Sequence, residues 1–177
     1  PVPRPRGPHR KVVLRQARKT GIGPAPTPVC FLAVRRLLLL TLFSTVTVAV
    51  AGQNKTSPFP LTGPTVPGST ARLSGSQAAA PEMAPLVVKR AIWAANQLHS
   101  KPYRFGGGHR SFWDNAYDCS GTVSFMLAGA GLIKSPMSSS EFRRFGERGD
   151  GRWITVYARN GHTFAVIAGL RLDTTPY

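Results

Sequence analysis

Acidic residues and cysteines are both scarce in this chain. Seven Asp and Glu stand against 23 Lys and Arg, a formal charge of +16, and no acidic residue precedes Glu82. Such an excess calls for an anionic partner: nucleic acid, an acidic membrane surface or an anionic cell-wall polymer. With only Cys30 and Cys119, the chain is neither a disulfide-stapled miniprotein nor a thiolate zinc protein. No aromatic residue precedes Phe31, so the basic N-terminal stretch has nothing to stack on bases. The sequence contains no internal repeat, and it opens on Pro1 rather than Met, so a longer natural start is expected.

What the chain does have is glycine and proline, 18 and 16 in 177 residues. That composition fits one domain accompanied by tail or linker. The 42% hydrophobic content suffices for one core of roughly 100 residues. Nine basic residues lie in positions 1–36, ending with Arg35 and Arg36, and an uncharged run from Leu37 to Ala51 follows. A positive flank, an apolar stretch of that length and a small-x-small end predict a secretory signal, with a retained membrane anchor as the alternative. Residues 52–83, rich in Ser, Thr, Pro, Gly and Ala, predict a flexible linker. The organisation expected is therefore a disordered leader over 1–51, a disordered linker over 52–83 and a folded domain over 84–177. From Gly52 onward 14 basic residues face seven acidic ones, spread rather than blocked, which suits weak attraction to an anionic wall and no grip on nucleic acid.

Within the domain, Leu86, Val87, Ile92, Ala95 and Leu98 recur at helical spacing and predict a helix over 85–99. A glycine-rich turn over 103–108 follows, then Asp118 as an N-cap and a mostly apolar helix over 120–132. A loop over 135–150 should hold one short helix near Glu141. Three strands are predicted at 153–159, 162–168 and 170–174, the first two joined by Asn160-Gly161, a two-residue hairpin signal. Helices followed by an antiparallel sheet make the fold class α+β.

Cys119 is the one thiol outside the leader, either a buried core thiol or a reactive one. At the start of a helix, free N–H groups and the helix dipole favour a thiolate, the form that acts as a nucleophile. Of four histidines, His9 lies in the leader, His99 ends a helix, and His109, after three glycines, reads as a solvated loop residue with contact to a ligand as the alternative. His162 opens a strand after a tight turn, where an imidazole can be projected toward a packed helix. A thiolate on a helix and an imidazole on a sheet satisfy the logic of cysteine–histidine catalysis. Asp173 is the only carboxylate after His162. With a Gly169-Leu170 turn it shares a sheet face with His162 but pairs with Val166; a turn nearer Ala168 brings it closer. A solvated strand-end Asp is the alternative.

Taken in order, Lys101-Pro102-Tyr103-Arg104-Phe105-Gly106-Gly107, Asp118-Cys119-Ser120-Gly121 and the strand-opening Gly161-His162 resemble the NlpC family of cell-wall cysteine peptidases. The resemblance covers roughly residues 84–177. It implies a papain-like core, with Cys119 as nucleophile, His162 as general base, and a third polar residue falling at Asp173 or Thr174, where the family usually has His, Asn or Gln. It also implies that Tyr103, Asp118 and Ser120 bind substrate. The expected activity is hydrolysis of amide bonds in peptidoglycan stem peptides by an exported or wall-associated enzyme, without metal or organic cofactor. Its alternative is a catalytically silent wall-binding or interaction module. Relatives continue with further strand after the third polar residue, so a chain stopping at Tyr177 is expected to be short at its C-terminus.

Overall fold

The computed structural model describes the main chain of residues 13–16 and residues 58–175. The apolar run 37–51, Cys30 and the rest of the basic leader lie outside the described residues. Elements β1 (Val13–Gln16), β2 (Thr65–Val66), β3 (Arg72–Ser74) and β4 (Gln77–Pro81) precede α1 (Leu86–Asn96), α2 (Cys119–Gly129) and α3 (Ser139–Phe142). The strands β5 (Ile154–Arg159), β6 (His162–Ile167) and β7 (Leu170–Asp173) follow. The described chain is α+β, with one sheet ordered β1-β7-β6-β5 and a smaller one ordered β2-β4-β3.

Two expectations about the N-terminal half are corrected. Residues 52–83 do not form a featureless linker where they are described, because β2, β3 and β4 occupy 65–81. Ala71, Ala78 and Ala80 are fully buried there. Their small side chains let the strands lie close to α1, which is why a stretch poor in large apolar residues reads as a spacer. The Asn96 side chain clamps β4, accepting from Ala78 N–H at 2.8 Å and donating to Ala78 O at 2.9 Å. Trp93 Nε1 donates to Pro64 O at 3.0 Å. Nor is the whole leader irregular: β1 pairs antiparallel with β7.

Helix α1 starts directly after Pro85, whose fixed φ suits a helix entry. Its Val88, Ala91, Ile92, Ala94 and Ala95 enter the core. Helix α2 is buried around its entire circumference, as expected of a helix apolar on all sides. Ser138 and Glu141 form a capping box on α3, the short helix anticipated near Glu141. The β5–β6 hairpin turns at Asn160-Gly161 as expected, with Arg159 opposite His162. Along β6, Thr163, Ala165 and Ile167 are buried while His162, Phe164 and Val166 are only partly so, the alternation of a sheet with one core face.

The β6–β7 turn is one residue earlier than the Gly169-Leu170 turn anticipated. Ile167 pairs with Leu170 and Ala165 with Leu172, so Ala168 and Gly169 form the turn, both at positive φ (47° and 89°). Ala168 is pinned from two sides, donating to Trp153 O at 2.7 Å and accepting from Ala71 N–H at 2.8 Å. Continuing this register places Asp173 opposite Phe164, two positions nearer His162 than a pairing with Val166 would.

Candidate active site

The site begins at the N-terminus of α2. Asp118 adopts an extended conformation and its carboxylate accepts from Gly121 N–H at 2.7 Å, so the helix opens one residue earlier than predicted and Cys119 is its first residue. The cysteine is buried. The main-chain N–H groups of Thr163, Ser120 and Cys119 lie near enough to Sγ to favour its charged form. Thr163 follows His162 in sequence, so this contact brings the helix start against the strand end that carries the imidazole.

Burial is the largest influence on the Cys119 thiol and pushes it above its ordinary value, and the neighbouring Asp118 charge adds to the rise. The N–H groups of Thr163, Ser120 and Cys119 pull the other way. The helix-start N–H groups anticipated from the sequence act in the expected direction, yet burial outweighs them and the thiol is pushed up rather than down.

His162 and Asp173 are brought together. Nε2 of His162 lies 3.0 Å from Asp173 Oδ1 and 3.3 Å from Thr175 Oγ1. Asp173 is buried rather than a solvated strand-end residue, and its two oxygens are divided between partners. Oδ1 faces the imidazole and accepts from Thr175 N–H at 3.0 Å; Oδ2 accepts from Arg171 Nε at 3.0 Å. Between the two positions open for the third residue, the imidazole is therefore met by Asp173 and not by the equally buried Thr174.

On the other side of Cys119 in sequence, Asp118 is saturated. Besides Gly121 N–H, its oxygens accept from Gly106 N–H at 3.0 Å and Ser120 Oγ at 3.1 Å, and they meet His109 Nε2 at 2.9–3.0 Å. Ser120 Oγ also lies 2.9 Å from His109 Nε2. The solvent-facing member of this group is the imidazole: the His109 side chain is 35% exposed against 5% for Asp118. His109 is an exposed loop residue, as expected, and its Nε2 is also the accessible edge of the Asp118–Ser120 pair. A sequence signal for it existed in Gly106-Gly107-Gly108. A Cβ on Gly107 would stand 2.4 Å from Ala116 O, and one on Gly121 would stand 2.1 Å from Gly107 O. Only glycine lets the loop pass so close to the start of α2, and His109 is the residue delivered by that approach.

Tyr103, the remaining expected site residue, forms an isolated parallel bridge with Tyr117, and its side chain is half-buried. Asp114 braces the same loop. It accepts from Gly108 N–H at 3.0 Å and binds Arg104 Nη2 through both oxygens at 2.8 Å. The Gly108 N–H, with lesser help from Asn115 and Arg104, holds its carboxyl down at about 2. No protein-family model matches the chain, and neither a curated protein nor a solved structure does.

Proposed function

We propose that the chain is an exported cysteine peptidase with a papain-like core that hydrolyses amide bonds in peptidoglycan stem peptides. One observation carries the reading: the helix-start thiol of Cys119 lies near the N–H of Thr163, the neighbour of an imidazole that is itself held by a carboxylate. In this mechanism His162 takes the thiol proton as Sγ attacks the carbonyl carbon. The helix-start N–H groups of Cys119 and Ser120, which lie near Sγ, receive the developing oxyanion in this reading. Collapse of the tetrahedral intermediate expels the amine, which takes its proton from His162. Water, deprotonated by the same imidazole, then releases the acid and regenerates the thiol. Asp173 keeps the ring in one orientation throughout. The stem peptide as substrate, a bond next to a D-glutamyl residue and an extracytoplasmic location rest on the motif resemblance and on the apolar run before Gly52. The test is digestion of purified cell-wall sacculi: fragments released by the parent chain and none by Cys119→Ala support the reading, and equal release by both overturns it.

A second reading, a catalytically silent wall-binding module, is favoured by the upward push that burial exerts on the Cys119 thiol. A thiol-reactive probe at neutral pH separates the two. Labelling faster than free cysteine and slowed by His162→Ala indicates an activated nucleophile, whereas labelling slower than free cysteine and indifferent to His162 indicates the silent module.

A further inference from the structure

A carboxylate beside an imidazole orients it only if the carboxylate is itself held. Asp173 sits on β7 with both oxygens within reach of donors, and rotation about its side-chain torsions would exchange them. Two atoms of Arg171 prevent this, since Nε and Nη2 both donate to Oδ2, at 3.0 and 2.5 Å, leaving Oδ1 to His162. The guanidinium is in turn held from below, its central carbon lying 3.8 Å from the centroid of the Phe164 ring. Phe164 stacks on Tyr157 at 4.8 Å and 13°, and the Tyr157 hydroxyl donates to Asp150 Oδ1 at 3.1 Å. One face of β5, β6 and β7 thus carries a continuous support from Asp150 through Tyr157, Phe164 and Arg171 to Asp173 and His162. The carboxylate end is buried and the Arg171 side chain is only 26% exposed, so the ion pair is partly withdrawn from water, where it is screened little.

We infer that Arg171 is a positioning residue of this site: seated on the Phe164 ring, it locks Asp173 with a single oxygen presented to His162, and its charge balances a carboxylate that would otherwise stand unneutralised beside the imidazole. The role rests on the peptidase reading for its effect on rate but not for its effect on the histidine. A Lys at the same place would supply the charge without the planar fork or the stacking surface.

The test uses the full chain labelled with nitrogen-15 and observes the His162 ring by NMR. In the parent, a slowly exchanging Nε2–H resonance reports the bond to Asp173. We expect it to weaken in Arg171→Lys and to vanish in Arg171→Met, while stem-peptide hydrolysis by Arg171→Met falls about tenfold or more in kcat at unchanged KM, the signature of a misplaced catalytic group. Phe164→Leu, which removes the ring beneath the guanidinium and leaves the ion pair in place, should broaden the same resonance; it decides the matter if Arg171→Met does not fold. A resonance unchanged in the folded Arg171 and Phe164 variants overturns the inference. Should the parent chain hydrolyse nothing, the peptidase reading fails while the NMR comparison still decides the role of Arg171.

Discussion

His162 and Asp173 meet at 3.0 Å across neighbouring strands, although Asp173 lies opposite Phe164 and not opposite His162 itself. The diagonal contact works because both residues share one sheet face and the carboxylate is steered along it. Asp173→Leu keeps the approximate size of the side chain but removes the acceptor that the ring meets. Hydrolysis of stem peptide should fall about a hundredfold in kcat with little change in KM. Steady-state kinetics on the purified variant check this, and parental kcat would remove Asp173 from the mechanism.

His109 should affect recognition more than chemistry. Its Nε2 is one of several donors to Asp118, so His109→Ala leaves Gly106, Ser120 and Gly121 in place and should cost about 1 kcal/mol of stability. We expect KM to rise about tenfold while kcat stays within about threefold. A collapse of kcat at constant KM would instead place the imidazole in the bond-breaking step.

The turn at Ala168 sets the register that brings Asp173 to His162. A β-branched side chain is poorly tolerated at positive φ, so Ala168→Val should lower stability by roughly 1–2 kcal/mol and reduce kcat along with it. Ala168→Gly should keep kcat at the parental level, as glycine adopts this conformation freely. Urea denaturation and kinetics on the two variants provide the comparison.

Asp114 makes the loop acid-sensitive. Its carboxyl is held at about 2, below the ordinary 3.8, so its stabilising contribution is complete above the ordinary value and fades as pH falls toward 2. Denaturation midpoints of the parent and Asp114→Asn should differ most at neutral pH and converge near pH 2. A gap that stays constant across this range would show that the carboxylate charge is irrelevant to the loop.

Cys119 acts in the opposite pH range. Because the fold raises the thiol above its ordinary value of 9.0, the unfolded chain loses that proton first, and stability should drop as pH climbs past that value. The part of the drop owed to Cys119 should be missing in Cys119→Ser. Equal alkaline losses in both proteins would mean that burial does not hold the thiol neutral.

Much of the domain was legible because its signals are local. The helical spacing of Leu86 to Leu98, the Asp118 cap, the short helix near Glu141 and the Asn160-Gly161 turn each depend on a few adjacent residues, and each appears where expected to within a few positions. The strands within 65–81 were not legible, since alanines that are fully buried against a helix look the same in sequence as alanines in a spacer. His109 was passed over for a related reason, its partners lying nine and eleven residues away.

By itself the sequence determined the α+β class, the helix-start cysteine and the strand-opening histidine, because helix caps, hairpin turns and side-chain alternation are properties of short segments. Tertiary structure alone decided which residues surround them. Whether Asp173 reaches His162 depends on a one-residue choice of turn, whether Arg171 holds that carboxylate depends on Phe164 from the neighbouring strand, and whether the Cys119 thiol ionises depends on burial by the whole fold. Such outcomes follow from packing between distant segments, and no local pattern encodes them.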